Sequence, residues 1–471
     1  MAIDRRLRLG VKKMKDNMSL FDTYRRSPLT GSRALPWNPL TCRLCLPNRQ
    51  EYLFRLHWEA RQSLRSSAFP GRARERETLL VASAEKGRFF QTIRMISVLF
   101  AWSWIVAIPL TAAAQDINVW IGTGRSPLSR GIYHCQLNTS GGKLSEPTLV
   151  AEMDGPGFLA KHPLHSVLYA VGGLSNVPVV AAFSIEGSPD KPSLRFRNSI
   201  PIGDGGAAHV SLDKTGKTLF TAQYGGGSVA VFSVQHDGTL GEKTQLIDHQ
   251  GASRVVSDRQ DASHAHWTGV SPDNRFLFVP DLGLDQVVIY KMDAATSKIE
   301  THGKGVVPPG SGPRHMKFHP NGRWIYVLNE LALTVTVFEY DAKMGTMTPR
   351  QTIETVPAAE LEREKAKSAS EIRVHPNGKF VYSANRGHDT ITVFAVDQAT
   401  GELKFVQREN PRCATPRNFN LTPDAKWLLA AGQLSNTLGL FSVDSDSGRI
   451  TFQQTSVFVP TPICVLFDHG D

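Results

Sequence analysis

The chain has 471 residues, 41% hydrophobic and 20% charged, with 53 Lys+Arg against 43 Asp+Glu for a net +10. That balance excludes a wholly disordered chain, and five cysteines exclude a disulfide-stapled scaffold. The positive excess is local: residues 1–94 hold 20 Lys+Arg and 8 Asp+Glu, a net +12, so residues 95–471 carry −2.

Residues 1–94 read as a basic leader, disordered or absent from the mature protein. They lack regularly spaced stacking aromatics and any nucleic-acid module, so no nucleic-acid partner is expected. Cys42-x-x-Cys45 has no second pair and no nearby His, which argues against zinc. Residues 95–114 read as a signal peptide. Lys86, Arg88 and Arg94 precede the apolar run Ile96–Leu110, and Ala112-Ala113-Ala114 offers a cleavage site near 114/115. The run is short of the roughly 20 residues of a spanning helix. Export to the periplasm or medium is expected, with no stable membrane insertion after cleavage. An uncleaved anchor, or a cytoplasmic protein if the segment is not used as a signal, is the alternative.

The body, residues 115–471, repeats. Anchors of one recurring strand stand at Trp120, Tyr169, Phe220, Phe278, Tyr326, Tyr382 and Leu429, 47 to 58 residues apart. Turns precede several of them, as in His162-Pro163, Ser271-Pro272-Asp273, His319-Pro320-Asn321-Gly322 and His375-Pro376-Asn377-Gly378. β-rich runs such as Val287–Tyr290 and Thr336–Phe338 follow. A period near 50 residues with four strands is the signature of a β-propeller. The spacing predicts an all-β, seven-bladed propeller of four-stranded antiparallel blades. Strand Ile117–Thr123 has no turn strand before it, and Thr461–Phe467 has no anchor after it, so the two ends should share one blade and close the ring. Two insertions, Gln250–Ser263 and Ile353–Ala369, read as loops over the channel mouth, the second with a short surface helix over Ala359–Lys367. Cys135, Cys413 and Cys464 read as packed free thiols.

Register locates the chemistry. The innermost strand of each blade should line the channel. Six residues before each turn stand Gly157, Ala208, His266, Arg314, Ser370 and Arg417. Four residues after each anchor stand Gly124, Gly173, Tyr224, Leu282, Glu330, Arg386 and Gln433. In a hairpin these two sets meet at one end, with Arg314 beside Glu330 and Ser370 beside Arg386. His266, Arg314, Glu330, Arg386, Arg417 and Gln433 should therefore converge at one mouth. Guanidiniums there can grip a carboxylate or phosphate, and a His can move a proton. Any single pair reads equally well as structural; six polar residues at matching registers favour a site. His264-x-His266 lacks a third ligand, so no metal is expected, and the reading calls for no cofactor.

The body resembles the seven-bladed propeller lactonase family, which includes the bacterial propeller-type 6-phosphogluconolactonases and the fungal carboxy-muconate cyclase. The resemblance rests on Val119-Trp120-Ile121-Gly122-Thr123, His264-Ala265-His266, Val279-Pro280-Asp281-Leu282-Gly283, Gly312-Pro313-Arg314-His315, Asn329-Glu330, Ala384-Asn385-Arg386-Gly387 and Thr415-Pro416-Arg417-Asn418-Phe419. It spans about residues 117 to 467. It implies a catalytic set of His266, Arg314, Glu330 and Arg386, with Arg417, Gln433, His264 and His315 expected to help bind an anionic lactone or sugar lactone. The expected activity is lactone hydrolysis of the 6-phosphogluconolactonase type. A muconate-type cycloisomerase and a non-catalytic exported binding propeller are the alternatives.

Amino-terminal sequencing of exported protein is expected to find Gln115, or a residue within a few positions of it, at the mature end. A mature end before residue 90 would contradict cleavage of this segment.

Overall fold

The computed structural model describes residues 116–364 and 367–468. The leader and the expected signal peptide lie outside them. Seven antiparallel sheets follow one another along the chain, six of them with four strands. Blade 1 pairs Asp116–Thr123 with Gly131–Asn138 and an outer strand broken into Lys143–Leu144 and Thr148–Glu152. Blades 2 to 7 begin at Asp154–Lys161, Ala207–Leu212, Gly269–Val270, Pro313–Phe318, Ser368–Val374 and Pro416–Leu421. The last strand, Pro462–Phe467, pairs with Asp116–Thr123 and supplies the inner strand of blade 1. The two ends of the body therefore share a blade, as the sequence predicts.

The second strand of every blade carries its anchor, and all seven anchors are fully buried. Among the described residues the apolar core consists of seven clusters, each shared by two neighbouring blades, from blades 1 and 2 round to blades 7 and 1. No blade buries its faces alone, so stability is a property of the closed ring.

Polar contacts fix the register between blades. Tyr169, Tyr326 and Tyr382 donate their hydroxyls to the carbonyls of Gly238, Gly401 and Gly448 in the outer hairpin of the following blade. Those glycines take φ of +79°, +76° and +71°, which favours glycine in any case. The turn histidines do the same nearer the channel. His319 contacts the Gly378 carbonyl of the next blade at 2.8 Å through Nε2, while its Nδ1 accepts from the Asn321 amide at 3.1 Å. His162 repeats this with Gly216. The His-Pro turn is thus an inter-blade clasp as well as a turn.

The first insertion is held by a polar pin. Asp285 accepts from Ser253, from Gln260 at 2.7 Å and from the amides of Gly310 and Gly312, tying residues 250–263 to the loop that precedes Arg314. In the second insertion the helix is one turn, Ala358–Leu361, shorter than expected. Four residues barely exceed a helix nucleus, and strand Ser368–Val374 resumes a few residues later. Cys135, Cys413 and Cys464 are free and buried.

Asp468 staples the closure. It accepts from Asn118 and the Trp120 indole, each at 3.1 Å, and from Lys161 of blade 2 at 3.0 Å. Burial raises its pKa, but the bonds from Asn118, Lys161 and Trp120 outweigh that and leave it below the usual carboxylate value. Asp468→Ala is expected to cost about 1–3 kcal/mol, because buried donors lose their acceptor. A group whose folded pKa is depressed stabilises above its unfolded pKa, so the difference from the parent should shrink as pH falls through the carboxylate range. Denaturant unfolding at pH 7 and at acid pH checks both.

Candidate active site at the channel mouth

Arg314 and Arg417 come from inner strands, His266 from the segment just before the inner strand of blade 4, and Glu330 and Arg386 from the ends of second strands. Each is held by local geometry. The His266 segment joins blade 4 through the His266 amide bond to the Pro280 carbonyl and the Leu282 amide bond to the His264 carbonyl, which flank the Ala265–Asp281 bridge. Asp281, fully buried, fixes it further by accepting from the His264 and Gly283 amides and contacting His249 Nδ1 at 2.6 Å. A bulge between Pro313 and His315 lifts Arg314 out of the ladder. The Glu330 amide bonds the Gly312 carbonyl at 2.7 Å, which sets the carboxylate across from that bulge.

Glu330 is the hub. Its Oε2 lies 2.6 Å from Arg314 Nη1, and its Oε1 lies 2.6 Å from Arg259 and 3.1 Å from Arg386. Arg314 is bound on two further sides, by donation from Nε to the Ser370 carbonyl at 2.7 Å and from Nη1 to His266 Nε2 at 2.5 Å. Arg417 faces Gln433 Oε1 at 3.5 Å. Burial favours protonated Glu330, but Arg314, Arg386 and His266 outweigh it and hold the carboxyl well below its usual range. Burial first, then Arg314, keeps His266 well below the ordinary imidazole pKa, so it is neutral at pH 7. Burial and the neighbouring Arg314 lower Arg386 to about 10. Burial with Arg314 and Arg386 lowers Arg417 to about 9. The cluster is short of negative charge.

A cavity of about 430 Å³ opens beside these groups. One wall carries His266, Arg314 and Arg417. The other is built from blades 1 to 3, where the same register positions are Gly124, Gly157, Gly173 and Ala208. The missing side chains on that half are what leave room for a ligand. Arg125 and Asp154, an exposed pair, stand at its rim.

Most of the expected residues meet. His266, Arg314, Glu330 and Arg386 form one contact network, and Arg417 with Gln433 adjoins it. His266, Arg314 and Arg417 line the cavity; Glu330, Arg386, Gln433, His264 and His315 are not among its lining residues. His264 stacks on Tyr224 at 4.5 Å and bonds its carbonyl at 2.7 Å. His315 is turned down the channel by the bulge and is 1% exposed, its Nδ1 3.1 Å from Glu371. Three participants were not anticipated. Arg259 belongs to an insertion outside the repeat and reaches both Glu330 and the Tyr224 hydroxyl. Glu371 stands next to register position Ser370, and a bulge turns it into the channel. Asp281 lies within a motif that the sequence reading quoted without giving it a role.

The family described as Lactonase, 7-bladed beta-propeller matches residues 118–467. A Bacillus subtilis protein named 6-phosphogluconolactonase is 35% identical over 351 residues, 74% of this chain and 98% of its own. A Formosa agariphila protein of the same name is 32% identical over 61% of this chain and 81% of its own. The structure of a Pseudomonas aeruginosa periplasmic gluconolactonase superposes with a TM-score of 0.70 at 31% identity, covering 75% of this chain and 99% of that one. With the ring, its shared closing blade and a match over nearly all of the described residues, the chain belongs to the seven-bladed β-propeller lactonase family.

Proposed function

We propose that the chain hydrolyses an anionic sugar lactone in the cavity at the channel mouth. One observation carries this reading: the guanidiniums of Arg259, Arg314, Arg386 and Arg417 gather about the single carboxylate of Glu330. A substrate phosphate or carboxylate would supply the missing charge and can be gripped bidentately. The sugar ring would lie against the glycine-lined wall. The relatives named as lactone hydrolases support this chemistry over cycloisomerisation. Export is part of the proposal, in line with the periplasmic relative and the 95–114 segment.

In this mechanism Arg417, which lines the cavity, holds the anionic end, and the charge of Arg386 near it adds to the field. Arg314 leaves His266 Nε2 for the lactone carbonyl, and the freed Nε2 takes a proton from water as the water oxygen attacks the carbonyl carbon. Arg314, kept in place by Glu330, stabilises the oxyanion. The acyl C–O bond then breaks, and the ring oxygen leaves with the proton that His266 carries.

His266→Ala is expected to lower kcat about 100-fold or more with KM little changed. Because its imidazole is held neutral well below the ordinary range, kcat in the parent should stay flat as pH falls from 8 to 6 and decline only at lower pH. Steady-state kinetics corrected for spontaneous hydrolysis checks both. Unchanged turnover in the variant removes His266 from the mechanism.

A further inference from the structure

Beneath the cavity the channel narrows to a second layer of inner-strand side chains. His315 packs there against the rings of Phe158, His209 and His266. Glu371, 1% exposed, sits beside it. Its Oε1 accepts from the Ile372 amide at 2.9 Å and contacts His315 Nδ1 at 3.1 Å. Its Oε2 accepts from Asn418 and lies 3.9 Å from Arg373. Every one of these contacts is a donor facing a carboxylate.

The partners assign the protons. A guanidinium can only donate, so His266 Nε2, facing Arg314, is the lone-pair nitrogen and Nδ1 carries the hydrogen. A carboxylate accepts, so His315 carries its hydrogen on Nδ1 and its lone pair on Nε2. The two remaining nitrogens, His266 Nδ1 and His315 Nε2, are both buried and have no hydrogen-bond partner among the described residues. One is an unmatched N–H and the other an unmatched lone pair. The rings stand 5.3 Å apart, centroid to centroid, and nearly edge to face. An N–H···N bond near 2.9 Å sets imidazole centroids about 5 Å apart, so the separation of the two rings is compatible with such a bond.

We propose that Glu371, acting through His315, is the positioning group for His266: it holds the His266 proton on Nδ1 and keeps Nε2 as the base. The inference rests on the lactonase reading for its catalytic consequence. The other tautomer of His266 would turn an N–H toward Arg314 and a lone pair toward the lone pair of His315. When Nε2 takes the proton of the attacking water, the new imidazolium lies among Arg314 and Arg417, with Glu330 3.9 Å away on one side. Glu371 adds a second negative charge from below, relayed by His315. The proton is later returned to the leaving oxygen, so neither His315 nor Glu371 changes its net protonation over the cycle. An inert core role for Glu371 accounts for its bonds to Asn418 and Ile372, but not for the matched open nitrogens of the two histidines.

The test uses the full chain with Glu371→Gln and His315→Phe, each also combined with His266→Ala. Both single variants are expected to lose about 10-fold or more in kcat with KM within about twofold, and neither should slow the His266→Ala enzyme further. An unchanged kcat, a loss confined to KM, or the same loss in the His266→Ala background overturns the proposal. Imidazole ¹⁵N NMR gives a readout that needs no turnover. The His266 signal, identified by its loss in His266→Ala, is expected to report the Nδ1–H form in the parent and a mixture in Glu371→Gln. An Nε2–H parent, or a tautomer indifferent to residue 371, overturns the proposal even if variants are slow. Absence of lactonase activity in the parent sinks the functional reading alone, while the NMR result still decides the role of Glu371.

Discussion

The mouth of this propeller depends on one buried carboxylate. Glu330 is 4% exposed and touches three guanidiniums. Taking a carboxylate out of water is expensive, and so is bringing arginines together. Each cost is tolerable only in the presence of the other. The hub also leaves a surplus of positive charge: burial first, and then the neighbouring guanidiniums, lower the pKa of Arg386 and of Arg417. Removing Glu330 would leave like charges facing one another in a dry pocket. Adding an anionic ligand would complete the neutralisation. The arrangement thus tolerates its own buried charges while leaving a positive excess that an anion would offset.

The ring makes that arrangement possible. Seven blades share seven cores, and the chain ends are locked into one blade by Pro462–Phe467 and Asp468. Such a frame lets inner-strand positions vary, because the apolar packing lies between blades and not along the channel. At the inner register position blades 2 and 3 carry Gly157 and Ala208, where blades 4, 5 and 7 carry His266, Arg314 and Arg417. Asymmetry within a pseudo-symmetric ring creates both the cavity and its charged wall.

The blade count, the closure and the pairing of Arg314 with Glu330 were legible in the sequence because they follow from periodicity: a repeat near 50 residues, and a strand alternation that fixes which side chains share an end. What the period does not govern was not legible. Arg259 rides on an insertion outside the repeat, so no register argument reaches it. His315, expected to help bind the lactone, follows the bulge at Arg314 and pairs with Glu371 instead. The turn histidines were readable as turn markers, while their bonds to the next blade depend on three-dimensional adjacency.

The central claim is that the arginine cluster reads the negative charge of a lactone that the site then opens. The most direct measurement compares hydrolysis of 6-phosphogluconolactone and unphosphorylated gluconolactone by the purified protein and by Arg417→Ala, each above the spontaneous rate. The account predicts hydrolysis with a preference for the charged lactone of about 10-fold or more in kcat/KM, most of it lost in Arg417→Ala. No rate above background, or equal use of both lactones with no effect of Arg417, would contradict it.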